Sequence, residues 1–173
     1  MKIEVKNVKY MASMSEETLC YTATVYADGK KFATASNRGF GGETDIDYDH
    51  SQKAVYFAAR DYVATLPDAV TEWGGYEQSL ESFVDDLVAD WLTMRELKSK
   101  LKKKWLFTVK GKDGLYGIKR SPSPASALSL AAASINLHLT SAHGKGGYTL
   151  LNTLPLDEAV KLYSPSNSGS KSG

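Results

Sequence analysis

Four carboxylates at alternate positions, Glu43, Asp45, Asp47 and Asp49, run into His50, a pattern with the donor set for a divalent cation. A calcium loop needs a glycine at its sixth position and a glutamate at its twelfth. Counted from Asp45, those positions hold His50 and Tyr56, so the motif fails twice. The acids are read instead as fronting the positive end of a following helix. Just upstream, Ser36-Asn37-Arg38-Gly39-Phe40-Gly41-Gly42 is dense in glycine. Backbone amides freed by glycine, beside an arginine, can cradle an anion. The loop has neither the spacing of a dinucleotide fingerprint nor the Gly-Lys-Ser/Thr ending of a phosphate loop. A hairpin exit with positive-φ glycines explains it equally well, and Arg38, Phe40 and Tyr48 then become candidates for contact with a partner surface. His143-Gly144-Lys145-Gly146-Gly147 precedes a strand, whereas phosphate loops follow one, so it reads as a connector. His50, His138 and His143 lack ligand spacing, and Cys20, between Leu19 and Tyr21, reads as a small buried apolar residue. No catalytic residue, metal or cofactor is expected.

Charge is distributed more tellingly than its total of +1 suggests. Asp61 to Leu92 holds eight acids and no Lys or Arg, whereas Arg95 to Arg120 holds ten bases and two acids, Glu96 and Asp113. Acids early and bases late in a helix complement its macrodipole, which accounts for much of the pattern without any function. The functional reading is a cationic face built from Lys98, Lys100, Lys102, Lys103 and Lys104, with Trp105 beside it. Lys110, Lys112, Lys119 and Arg120 on the next hairpin would extend that face. It would suit phosphates or an acidic protein. No helix-turn-helix, zinc-finger or RNA-recognition signature accompanies it.

The elements that must position these residues can be read from periodicity. Lys2–Tyr10 and Thr18–Ala27 alternate as strands, with a register slip near Asn7. Asp28-Gly29 turns the chain into Lys30–Ser36 as a hairpin, because a type I′ turn needs positive φ at both central residues. A helix runs from Asp49 or Ser51 to about Leu66 and stops at Pro67. Ser79 caps a long helix to Lys103 whose apolar stripe includes Leu80, Phe83, Val84, Leu87, Val88, Trp91 and Leu92. Strands follow at Trp105–Val109 and Leu115–Lys119. A small-residue helix over Ala125–Leu139, a strand at Tyr148–Asn152 and a short helix ending near Tyr163 complete the pattern. The expected class is α+β, with units at 1–75 and 76–163 and a disordered tail at 164–173.

With 173 residues, 42% of them hydrophobic, the chain can bury a core, so global disorder is excluded. One cysteine excludes a disulfide framework and multi-cysteine zinc sites. The start, Met1-Lys2-Ile3-Glu4-Val5-Lys6, alternates charge without the apolar segment of a signal peptide, and no run of 18 apolar residues is present. A cytosolic protein without a membrane span is the expectation. Ten tyrosines and three tryptophans are more than burial alone would use, which favours a surface made for contact.

Val25-Tyr26-Ala27-Asp28-Gly29-Lys30-Lys31, running into Ser36-Asn37-Arg38-Gly39-Phe40-Gly41-Gly42, resembles small uncharacterised bacteriophage accessory proteins. Leu106-Phe107 and Leu151-Asn152-Thr153-Leu154-Pro155 with Glu158-Ala159-Val160 are similar in flavour. The likeness covers about a third of the chain and rests on turn chemistry, with no catalytic residues to carry over. It implies a viral protein that acts stoichiometrically in the host cytosol by occupying a host protein or ribonucleoprotein complex, as anti-CRISPR inhibitors of bacterial defence do. The alternatives are nucleic-acid binding through residues 95–120 and a nucleotide or anion sponge built on Arg38 and its glycines.

Overall fold

In the computed structural model, which describes residues 1–71, 74–111, 113–119 and 147–163, the N-terminal segment folds as an antiparallel meander. Its strands are β1 (Ile3–Tyr10), β2 (Tyr21–Ala27), β3 (Lys30–Asn37) and β4 (Asp45–Tyr48), paired in that order. Alternation along β2 buries Tyr21, Ala23, Val25 and Ala27 on one face, opposite Asn37, Ala35 and Ala33 of β3. Asp28 and Gly29 make the hairpin turn with φ of 47° and 81°, the left-handed pair that the sequence demanded. The Asp28 carboxylate also accepts from the Lys2 N–H at 2.7 Å, which ties the turn to the start of β1. Asn7, at φ 54°, marks the expected slip: the register shifts between Lys6 and Lys9, and Val8 returns to the buried face.

Asp45–Tyr48 is a strand that its four residues do not announce. Pairing with β3 sets Ile46 opposite Ala35 and Tyr48 opposite Ala33, leaving Asp45 and Asp47 on the outer face. Asp49 then accepts from the Ser51 N–H at 2.8 Å, which caps a 3-10 turn at His50–Gln52 and holds its carboxyl below the usual range. Helix α1 (Lys53–Ala64) follows against β3, burying Ala59 and Val63. The glycines after Trp73 are not a linker: β5 (Ala69–Thr71) pairs with β6 (Gly74–Tyr76) as a small hairpin.

Helix α2 (Leu80–Lys103) starts with a reciprocal cap, in which Ser79 Oγ accepts from the Ser82 N–H and Ser82 Oγ from the Ser79 N–H, each at 3.1 Å. Leu80, Val84 and Val88 of the expected stripe are fully buried, while Phe83, Leu87, Trp91 and Leu92 are half-buried. The chain divides into two compact units inside α2, Met1–Trp91 and Leu92–Gly173, rather than at residue 75. The physical reason is that the first turns of α2 bond to the meander through Asp85.

On the exposed side of α2, Asp86 stands one turn before Asp90 and beside Asp85, and its carboxyl is raised by partial burial first and these two acids second. A carboxyl raised by folding weakens the fold while it is ionised, and the penalty disappears as pH falls through its folded-state pKa. Asp86→Asn is therefore expected to stabilise the protein at neutral pH by about 0.3–0.5 kcal/mol, the scale of one like-charge pair on a helix. Thermal melts should show the gain at pH 7 and its loss in acid.

In the second unit, β7 (Lys104–Val109) is the central strand of an antiparallel three-stranded sheet, between β8 (Leu115–Lys119) and β9 (Tyr148–Leu150). Trp105, Phe107 and Val109 face one way, with Leu150, Tyr116, Ile118 and Tyr148 around them. Leu106 faces the other way and packs with Leu97 of α2, Leu151, and Ala159 and Tyr163 of α3 (Leu156–Tyr163). Gly117 lies opposite Leu106, where an added Cβ would come within 3.1 Å of its side chain. Asn152 fastens the α2-to-β7 junction. Its Oδ1 accepts from the Leu106 N–H at 2.8 Å, and its Nδ2 donates to the Leu101 and Lys104 carbonyls at 3.0 Å. The helix expected at Ala125–Leu139 and the tail from residue 164 lie outside the described residues.

Candidate protein-contact site

Asn37 ends β3 buried, and it organises the glycine loop that follows. Its Oδ1 accepts from the Gly39 N–H and the Thr18 hydroxyl, each at 2.9 Å. Its Nδ2 donates to the Gly42 carbonyl at 3.0 Å and to Thr44 Oγ1 at 3.1 Å. All four hydrogen-bonding positions of the amide are thus used. The network continues inward, since Thr44 Oγ1 donates to Asp85 Oδ1 at 2.6 Å and the Tyr21 hydroxyl donates to the same oxygen at 2.7 Å. Burial, with the Asp85 carboxylate beside it, pushes the Tyr21 phenol far above its ordinary value, so it remains a donor.

A second loop locks onto the first through one carbonyl. The N–H groups of Glu16 and Glu17 at 3.0 Å, and of Thr18 at 3.3 Å, converge on the Gly39 oxygen. Only glycine fits there: φ is +89°, and an added Cβ would lie 2.1 Å from the Met14 carbonyl oxygen and 2.9 Å from Cys20 Cβ. The Ser15 hydroxyl donates to the Met11 carbonyl at 3.0 Å and accepts from the Cys20 N–H at 2.8 Å, which braces the second loop internally.

What these loops display is apolar. Among the described residues the exposed large apolar side chains are Met1, Met11, Met14 and Phe40, and the last three stand on the two interlocked loops. Phe40 is 58% exposed. Glu16 and Glu17 on the second loop, and Arg38, Glu43 and Asp45 on or beside the first, are also exposed. A shallow depression lined by Asn37, Arg38, Phe40, Gly42, Glu43 and Asp45 lies beside the Phe40 ring. Exposed apolar side chains interspersed with charges, on backbone already fixed by hydrogen bonds, have the composition of a protein-contact surface.

Tyr48, grouped with Arg38 and Phe40 from sequence, goes elsewhere. It turns to the inner side of the sheet, half-buried, and stacks on Tyr56 with ring centres 4.2 Å apart. Two of the loop's glycine amides are already engaged, the Gly39 N–H with Asn37 and the Gly41 N–H with Thr18 Oγ1 at 3.3 Å. Among the described residues no three His, Cys, Asp or Glu side chains come together as a metal site. Met11, Met14 and the roles of Asn37, Thr44 and Asp85 escape a reading of the sequence, since each depends on contacts between separate segments.

The basic run divides. Lys98 and Lys102, one turn apart on α2, are exposed, as are Lys103, Lys104, Lys110 and Lys119. Lys104 stands opposite Lys119 across β7 and β8. Lys110 follows the far end of β7, roughly 20 Å away at about 3.3 Å per residue. Lys100 is committed to a contact, with Nζ 2.7 Å from Glu96 and 5.0 Å from the Tyr163 ring centre. Those contacts raise the Lys100 ammonium and hold the Glu96 carboxyl low. Trp105 does not stand beside the run as a stacking platform; it is buried in the second unit's core. Lys112 and Arg120 lie outside the described residues.

Among the described residues, no helix is long and apolar enough to cross a membrane. Comparison with known proteins finds no matching family model, no matching curated protein and no matching solved structure.

Proposed function

We propose that this chain is a non-enzymatic binding protein that occupies a partner protein with the Met11–Met14–Phe40 end of its meander and blocks that partner. The observation that carries the reading is Phe40, an exposed aromatic ring on a loop whose backbone is bonded on both sides. Binding through such a loop loses little conformational freedom, and a central aromatic ring is the kind of anchor that dominates interface energy. Methionines beside it add adaptable apolar contact. The acids on and beside these loops suit a partner whose own apolar surface carries bases. The likeness to phage accessory proteins directs the search to host defence complexes in the cytosol.

The test is co-elution of the full chain with purified bacterial immunity complexes on size exclusion, followed by titration of any complex formed. Phe40→Ala is expected to weaken binding by about 30- to 1000-fold, the range for loss of a hot-spot aromatic, with an unchanged melting temperature. Failure to form a complex, together with turnover of a small substrate, would overturn the reading. The exposed Lys98–Lys102 pair and the facing Lys104 and Lys119 favour nucleic acid as a second reading. Its signature in the same titrations is affinity for RNA or DNA that falls steeply with salt and is indifferent to Phe40.

A further inference from the structure

The outer face of the meander is ordered in rows. Reading across the four strands, Lys6 on β1 stands beside Thr24, then Thr34, then Asp47 on β4. The next row repeats the order with Lys9, Thr22, Ser36 and Asp45. Each row therefore runs cation, hydroxyl, hydroxyl, carboxylate. Lys6, Lys9, Thr34, Asp45 and Asp47 are exposed, and Thr22, Thr24 and Ser36 are partly so. Lys6 Nζ rests 4.6 Å from the Tyr26 ring centre, which keeps its ammonium over the face. In the third row, Glu4 is already paired with Lys2 at 2.8 Å.

We infer that this face is self-complementary and that its partner is a second copy of the chain. Consider a two-fold axis in the interface, parallel to the strands and between β2 and β3. It lays β1 of one copy over β4 of the other and keeps each row at its own height. Lys6 then meets Asp47 of the second copy and Lys9 meets Asp45, and symmetry repeats both pairs. The hydroxyls of β2 fall over those of β3, and each hydroxyl can both donate and accept. An axis across the strands instead would set lysine on lysine and aspartate on aspartate, so charge selects one arrangement. Two rows across all four strands and a third across β1 to β3, about 7 Å apart on strands about 4.8 Å apart, outline roughly 400 Å² per copy, below the size of standard specific interfaces. The dimer is consequently weak and salt-sensitive, with a dissociation constant on the order of 100 μM at low ionic strength.

Sedimentation equilibrium of the full chain across that concentration range tests the inference. A monomer–dimer equilibrium is expected at low salt, shifting to monomer in about 0.5 M salt, where screening acts within ~5 Å. Lys6→Glu/Lys9→Glu and Asp45→Lys/Asp47→Lys should each be monomeric alone. Mixed together they should form a heterodimer at least as tight as the parent dimer, a result that also shows both variants to be folded. Should either variant misfold, the milder Lys6→Gln/Lys9→Gln and Asp45→Asn/Asp47→Asn pairs should each weaken the dimer by about tenfold or more. A chain that stays monomeric at low salt, or a dimer untouched by these substitutions, overturns the inference.

Discussion

Gly39→Ala is expected to lower the stability of the meander by about 3–5 kcal/mol, read from the urea midpoint of the whole chain. Two costs combine. The residue sits at φ +89°, a region that disfavours any Cβ, and the added carbon would lie 2.1 Å from a backbone oxygen that no rotamer change can move. Relief requires the 11–18 loop to withdraw, and withdrawal breaks the three hydrogen bonds that the Glu16, Glu17 and Thr18 N–H groups donate to the Gly39 carbonyl. Gly29→Ala is the control. Its φ is +81°, but nothing lies within 4 Å of the added carbon, so only backbone strain of about 1 kcal/mol is expected. Equal losses in the two variants would mean that the loops are not interlocked through Gly39.

The second large effect is expected at Asn152. Alanine there leaves the Leu106 N–H and the Leu101 and Lys104 carbonyls without their shared partner, a loss of about 2–3 kcal/mol. Aspartate, nearly the same shape, should do worse at neutral pH. One carboxylate oxygen keeps the Leu106 bond, but the other replaces the Nδ2 donor and faces two carbonyl oxygens at 3.0 Å. Ionisation is penalised in the folded state, so the introduced carboxyl is raised above about 3.9. A raised carboxyl costs stability above its folded-state pKa and releases the cost as pH falls through it. Asn152→Asp should therefore recover toward the parent in acid, while Asn152→Ala should not. Urea melts at neutral and acid pH, with amide exchange at Leu106, separate the two.

How far the sequence carried depends on the range of the interactions involved. The Asp28-Gly29 hairpin was legible because two adjacent residues determine it, and the Asn7 slip because alternation breaks at that point. The Ser79 start of α2 was legible for the same local reason. Strand β4 was not, since Asp45–Tyr48 is extended only because β3 offers it a partner, and that pairing is what turns Tyr48 inward onto Tyr56. The grouping of the first turns of α2 with the meander was not legible at the soft boundary read near residue 75, because Gly74 and Gly75 belong to a strand paired with β5 and the bonds that join α2 to the meander run from Asp85 to Tyr21 and Thr44. Arg38 and Phe40 were identified as display residues, but the parts that brace them come from Thr18, Asn37 and the 11–20 loop. The basic run was plain as composition; strand alternation then buried Trp105, and an i,i+4 pair engaged Lys100.

Cys20 is the chain's single cysteine, 2% exposed, and its Cβ abuts the place where the two loops interlock. A thiol-reactive dye can reach its sulfur only when that seam parts, so the labelling rate of the unmodified protein reports how often it does. A molecule seated on Phe40 would hold the seam shut and slow the dye. The chain thereby carries its own occupancy gauge, readable without introducing any foreign probe.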